Sequence, residues 1–434
     1  MFQFFRRRHQ YLLFDSAEQE VIHENCLTVE GESLERKGEV KTHRGSIIDH
    51  VYIDRDHKTT HENLVRDYFS LTLPFPHRLF RRGFRMSHKL FLHIYDVVVA
   101  YDEYFVQSRN VARIEGLSSL QKVTAALRMI CYGVSGDIVD EYIRLAESTT
   151  NEAMKKFVEA VINIFGDKYL RSHNSNDINR LLQLHEKHGF PGMLGSIDCM
   201  HWTWKNCPSG WKGHYSGHSG DATVILEAVA SRDLWTWHTF FGLQGSLNDI
   251  NVLERSPVFT DVIIGRAPSV NFVINNNQYD MGYYLADGIY PKWSTIANTI
   301  QMPQSQKAKN YARAQESARK DVEHVLGVLQ SCFHIIQQPC KYFKLATMKN
   351  IMRACVILHN MIVEDERYLY KSLEKSNYYL FEEVSAPIVD YGYNHFDYNQ
   401  FIAGREKLKD KIMHRHLQEY LIKHLWERHG NVDY

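Results

Sequence analysis

The sequence predicts an α-helical region over residues 68–185 followed by a mixed α/β domain over residues 186–366. Three observations carry this. Between Ser87 and Phe165 apolar residues recur at three- and four-residue steps, the period of a helix buried on one side. From Pro191 the chain turns to short runs rich in β-branched and aromatic residues, divided by Gly, Ser and Asp turns. A long helical stripe then follows these strands, and strands followed by helices build a mixed α/β layer.

The elements follow in order. Residues 1–67 are polar and weakly periodic, and Arg6, Arg7, Arg8 and His9 form a small basic cluster. That cluster reads either as a solvated tail or as a nuclear-localisation or DNA-contacting arm. Pro74 and Pro76, followed by RLFRRGFR, make an extended entry into the folded region. Leu117, Leu120, Val123, Thr124, Leu127, Ile130 and Cys131 mark a helix that Ser118 and Ser119 can cap and Gly133 can end. A short helix over Asp137 to Leu145 follows. A second long helix starts after Ser148 and Thr149, carries Met154, Phe157, Val158, Val161 and Phe165 on one stripe, and is expected to close at Gly166. Three helices with short turns suit a helix-turn-helix-like bundle, whose last helix either presents Lys155 and Lys156 to DNA or packs with that pair solvated.

The strand candidates are MLGSID, ATVILEAVAS, LWTWHTFFGL, VNFVIN and GYYLADG. QMPQSQKAKNYARAQESA then passes from a loop into a helix with a core-facing stripe of Val322, Val325, Leu326, Leu329 and Phe333, and a further helix spans about Thr347 to Ile362. Residues 367–434 begin with an irregular acidic and Tyr-rich segment. They end in an amphipathic helix from Arg405 to Arg428, with Leu408, Ile412, Leu417, Leu421 and Leu425 expected to be buried.

Composition bounds the chemistry. With 44% hydrophobic and 24% charged residues over 434 positions, the chain is an ordinary globular protein of two or three domains. The 51 basic and 51 acidic side chains cancel, which argues against a strong autonomous nucleic-acid binder. Seven scattered cysteines form no CxxC pair, so neither a zinc ribbon nor a disulfide framework is expected. MFQFFRRRHQ lacks the apolar core of a signal peptide, and no run reaches membrane-span length; a soluble intracellular protein with no membrane partner is expected.

Four carboxylates stand where strands or helices would present them. Asp198 ends the apolar run GSID, Asp249 follows a Gly-Ser turn, Asp287 ends GYYLADG, and Glu323 flanks the stripe of the long helix. Arg319 and Gly327 lie at helical spacing from Glu323 and share its face. Converging carboxylates repel one another unless a cation sits among them, and hard oxygen donors select Mg²⁺ or Mn²⁺. Such ions activate a water or a 3′-hydroxyl for in-line attack on phosphate. Buried or edge carboxylates occur in any α/β domain, so an ordinary structural role stands beside this one. GxGxxG and GxxxxGK[ST] are absent.

GFPGMLGSIDCMHW, KNCPSGWKGHY, ILEAVASRDLWTWHTFFGLQGSLNDINVLERSPVF, MGYYLADGIYP, ARKDVEHVLGVLQ and ILHNMIVEDE appear in this order. With them, the stretch from about Gly116 to Asp365 resembles the PIF/Harbinger DDE transposases and transposase-derived nucleases, in the plant transposon protein branch. The resemblance implies an RNase H-like fold with a divalent-metal site and nuclease and strand-transfer chemistry. It matches Asp198 to the first acidic residue, Asp287 to the D-x-G-Y aspartate and Glu323 to the glutamate of the V-E-x-x-x-G-x-L helix, which together make the implied catalytic triad. Asp249 matches a further acidic position of the family's metal site, as a ligand or as a group behind one. The resemblance also implies Mg²⁺ or Mn²⁺, action on transposon ends and target DNA, a nuclear location, a Myb-like DNA-binding partner and a homo-oligomer.

His201 reads as a structural imidazole or a DNA-backbone contact. Trp202, Trp204, Trp211, Trp235 and Trp237 read as packing, and Lys205, Lys212 and His214 as phosphate contacts or a solvated edge. The chain departs from the family where His324, Val325 and Leu326 replace R-A-F, and Leu326 keeps the apolar bulk there. A second functional reading follows: a domesticated, catalytically silent protein that keeps the fold as a nuclear interaction module.

Overall fold

The computed structural model describes residues 55–70, 77–109, 113, 115–217, 220–373 and 398–429. Arg6, Arg7, Arg8, His9, Cys26, Pro74, Pro76 and residues 377–397 of the Tyr-rich stretch lie outside them. The chain divides into the units Met1–Asp56 and His57–Tyr434, and the architecture that follows is that of the second.

Seven helices come first: α1 His57–Tyr68, α2 His77–Phe84, α3 His88–Tyr101, α4 Ser119–Tyr132, α5 Gly136–Ile143, α6 Glu147–Tyr169 and α7 Ser175–Glu186. Helix α1 occupies what the sequence suggested was the end of a polar tail, and Leu64 anchors it in the core. The expected boundaries of α4 hold. The Ser118 side chain accepts the Gln121 N–H, Gln121 answers with the reciprocal bond, and Gly133 ends the helix in the left-handed region at φ 65°. Helix α6 runs three residues past Gly166, because Phe165 and Tyr169 both face the core and a single glycine costs a helix only about 1 kcal/mol. It packs between α4 and the later helix Leu345–Leu373, so it serves packing on those sides, with Lys155 exposed.

The sheet follows. Strand β1 Met193–Thr203 leads through α8 Ser209–Tyr215 to β2 Thr223–Ala230 and β3 Thr236–Gln244. Helices α9 Asp249–Arg255 and α10 Thr260–Ile263 lead to the small hairpin β4 Phe272–Ile274 and β5 Asn277–Tyr279. Strands β6 Tyr283–Ala286 and β7 Ile296–Asn298 complete the main sheet in the order β3-β2-β1-β6-β7. β2 is antiparallel to β1 and β3, whereas β6 runs parallel to β1 and to β7. Five mixed strands in this order with flanking helices form an RNase H-like layer. Every residue of β2 is buried, which explains why its sequence is apolar apart from Thr223 and Glu227. VNFVIN contributes to the separate hairpin rather than to this sheet.

Long helices cover the sheet: α11 Gln306–Cys332, α12 His334–Gln337, α13 Leu345–Leu373, α14 Tyr398–Leu408 and α15 Lys411–His429. The single C-terminal helix expected from Arg405 to Arg428 is in fact two. Asp410 stands between them and caps α15, its carboxylate accepting the N–H groups of Ile412 and Met413. Leu408, Leu417, Leu421 and Leu425 are buried as expected, but Ile412, in the capped first turn, is 67% exposed.

One hydrophobic core runs from Leu64 to Leu425 through both the helical region and the sheet, so 68–185 and 186–366 share an interior. Asn360 on α13 ties them together. Its fully buried amide accepts the Thr236 N–H and donates to the carbonyls of Thr236 and Tyr169. The six described cysteines are free thiols. Among the described residues no helix is long and apolar enough to cross a membrane.

Candidate active site

Asp198 lies on β1, and Asp287 directly follows its parallel neighbour β6. In the parallel pair, Ser196 on β1 stands opposite Leu285 on β6. Asp198 lies two residues beyond Ser196 on β1, and Asp287 directly follows Ala286, the last residue of β6. Side chains two apart on a strand share a face, and the Ser196 hydroxyl on that face donates to the Ala318 carbonyl of α11 at 3.2 Å. Asp198 therefore looks toward α11.

Helix α11 crosses this face and supplies both acid and base. The Arg319 guanidinium, 9% exposed, reaches Asp198 at 3.8 Å, Glu323 at 2.8 Å and Glu316 at 2.9 Å. The i, i+4 spacing of Arg319 and Glu323 produces one of these contacts, and the tertiary packing of α11 on β1 produces the contact to Asp198. Burial works against the charge of Arg319, but Glu316, Glu323 and Asp287 outweigh it and hold the guanidinium protonated.

Asp198 is strongly perturbed by its surroundings. Burial pushes its carboxyl up to about 6, opposed by the Cys199 N–H and by Arg319 and reinforced by repulsion from Glu323 and Asp249. Asp287 directly follows β6 and is exposed. Its carboxylate accepts the following Gly288 N–H, and its carbonyl accepts from Asn298 at 2.9 Å. A side chain at Gly288 would meet Gln301, so that loop is closely seated.

Asp249 begins α9, whose N-terminus is capped by Asn248. It stands with Cys199 and His201, residues that alternate with Asp198 and so occupy the opposite face of β1. Burial raises its carboxyl, opposed by the Cys199 thiol and His201 and reinforced by Asp287 and Glu227. Asp249 is thus linked to Asp198 and Asp287 by charge across the strand. Among the described residues no three His, Cys, Asp or Glu side chains are grouped as a metal-binding set. The donors are all hard carboxylate oxygens, as Mg²⁺ or Mn²⁺ requires, and the cation now drawn among them is Arg319. By donor chemistry Asp198, Asp287 and Glu323 fit such an ion.

Two acidic residues escaped the sequence reading. Glu316, seven residues before Glu323 and so on its face, was detectable by helical period. Glu227 lies fully buried in β2, opposite Cys199, hydrogen-bonded by Ser256, with its other oxygen unpartnered. A lone Glu inside the otherwise apolar TVILEAVA was its only signal.

The aromatic and basic neighbours sort clearly. Trp202, Trp204, Trp235 and Trp237 are buried, and the indoles of Trp202 and Trp204 donate to the carbonyls of Gln338 and Tyr342. Trp211 packs edge-on to Trp204. His201 is exposed and shares a 2.9 Å hydrogen bond with Thr223, while Lys205, Lys212 and His214 are exposed. In place of R-A-F, Val325 and Leu326 are buried and His324 is exposed.

Residues 61–99 match a domain of unknown function, and residues 167–370 match the family model described as plant transposon protein. Protein ALP1-like of Arabidopsis thaliana is 24% identical over 299 residues, covering 67% of this chain and 71% of that protein. No solved structure matches the chain. Asp198, Asp249, Asp287, Arg319 and Glu323 all lie inside the segment 167–370, which is similar to the plant transposon protein family, a Harbinger-type, transposase-derived group.

Proposed function

We propose that the protein is a divalent-metal-dependent DNA nuclease of the DDE transposase type, cleaving phosphodiester bonds and able to transfer the resulting 3′-hydroxyl strand to target DNA. The observation that carries this reading is Arg319 of α11, which reaches Asp198 on β1 and Glu323 on its own helix and feels the charge of Asp287, so that a cation is already drawn to these acids. Asp198, Asp287 and Glu323 would hold Mg²⁺ or Mn²⁺, and Asp249 would add negative charge from the other face of β1 or join as a ligand. When bound, the metal supplies Lewis acidity to the attacking oxygen and offsets the charge developing on the phosphate. The chain's own part is positional. β1 holds Asp198 toward α11, and Arg319 pairs with Glu316 and Glu323. Ionisation of Asp198, raised to about 6, makes the site fully anionic only near neutral pH. Recognition of transposon ends would be shared with a Myb-like DNA-binding partner, which suits a chain with no net charge, and the complex would act in the nucleus as a homo-oligomer.

A nicking assay on terminal-repeat DNA with Mg²⁺ or Mn²⁺ tests this. Wild type should nick, and Asp198→Asn and Glu323→Gln should each lose at least about 100-fold, because a metal site contributes several kcal/mol to such a step. The pairing of Arg319 with two of the acids favours a second reading, a silent nuclear interaction module in which those ion pairs are permanent. Wild type as inactive as both variants, with partner binding intact, would establish that reading instead.

A further inference from the structure

The basic residues of α11 fall into two sets. Lys307 lies over the Trp426 ring at 5.7 Å, and Arg319 is consumed by three carboxylates. Lys309, Arg313 and Lys320 are exposed, and among the described residues none of the three has an ion-pair partner. At about 100° per residue they fall within roughly 40° of one another, on a single line along the helix. The opposite side of α11 buries Tyr311, Gln315, Val322 and Leu329, so this line faces solvent because of how the helix is docked. Glu316 and Glu323 border the line, but Arg319 pairs with both, which leaves the exposed face net positive.

A charged helix face is most often simply solvated. Two features set this one apart. The three cations have no ion-pair partner among the described residues, in a chain whose 51 basic groups are matched overall by 51 acidic ones. The line also leads into the carboxylate site, since Lys320 precedes Glu323 by one turn and Lys309 lies about 16 Å behind Lys320. That length covers about five phosphates of one strand of a duplex.

We propose that Lys309, Arg313 and Lys320 form a track for the DNA backbone that delivers a phosphodiester to Asp198, Asp287 and Glu323. This inference rests on the nuclease reading and gives it a strand path. The three side chains act as phosphate contacts, so they set affinity and orientation without reading sequence.

The test is a salt titration of duplex binding by fluorescence anisotropy, using the full chain, a terminal-repeat duplex and EDTA to prevent cleavage. The triple variant K309A/R313A/K320A should lower the slope of log affinity against log salt by about 2 to 3, and affinity near 0.1 M salt by about 100-fold or more. The control K155A/K156A on α6 should leave both unchanged, and K309R/R313K/K320R should bind as wild type, which separates charge from folding. A triple variant with the wild-type slope, or a control that falls as far, overturns the track. If wild type still nicks in that case, the nuclease reading survives without it. Failure of wild type to bind or nick DNA overturns both. Polyglutamate bound as tightly as duplex and lost in the same triple variant would also overturn it, in favour of an acidic peptide.

Discussion

Asp198→Asn should make the metal-free protein more stable at neutral pH even as it removes a proposed catalytic group. The wild-type carboxyl rises from 3.8 to about 6 on folding, chiefly through burial, and its side chain is only 20% exposed. A carboxyl raised in the folded state contributes stability that is full below 3.8 and lost as pH climbs through about 6. At pH 7 the wild type therefore carries the whole cost of an ionised, desolvated acid, about 3 kcal/mol at about 1.4 kcal/mol per pH unit. Asparagine has nearly the same shape, carries no charge, and still accepts the Cys199 N–H. Urea denaturation in EDTA should show the variant more stable by about 3 kcal/mol at pH 7. The gap should shrink below about 1 kcal/mol at pH 4, where the folded wild-type acid is protonated and the unfolded one is roughly half so. Saturating Mn²⁺ should also narrow it, because only the wild type keeps the full ligand set. A variant less stable than wild type at pH 7, or a gap of equal size at both pH values, would refute the argument that Asp198 is held under electrostatic stress.

Further outcomes follow from the same structure. Arg319→Gln removes the resident cation, so Mn²⁺ measured by calorimetric titration should bind at least about fivefold tighter, one screened charge pair being worth about 1 kcal/mol; weaker binding would show that Arg319 supports the metal site rather than opposing it. Asn360→Leu leaves the buried N–H and C=O of Thr236 and the carbonyl of Tyr169 without their partner, and should cost about 3 kcal/mol or more in urea denaturation. Gly133→Ala forces a side chain into the left-handed region, with its Cβ 2.8 Å from the His334 carbonyl oxygen; a loss of roughly 1–3 kcal/mol is expected, and a thermal midpoint equal to wild type would contradict it.

Helical period and capping chemistry are local, which is why α4 could be read from Ser118 to Gly133 in advance and why the apolar stripe of α11 was recognisable. The same locality misled at the C-terminus. An apolar period continued across Asp410, while the chain used that carboxylate to start a new helix. β7, three residues long, carried too little pattern to register. It forms because Ile296, Ala297 and Asn298 complete the pairing of β6, a condition set by a strand ten residues away.

The identities of Asp198, Asp249, Asp287 and Glu323, and the helical neighbourhood of Arg319 and Glu323, were determined by the sequence alone, because acid type and i, i+4 spacing need no third dimension. Tertiary structure decided which of these groups face one another. Strand alternation put Asp198 toward α11 and grouped Asp249 with Cys199 on the reverse side, a distinction of one residue in register that reverses the face of every side chain. Packing of α11 across β1 then set Arg319 against Asp198, 121 positions before it in the chain, and left Lys309, Arg313 and Lys320 toward solvent. Long-range charge pairing depends on how helix and sheet dock, and docking is settled by the shared core rather than by any local stretch.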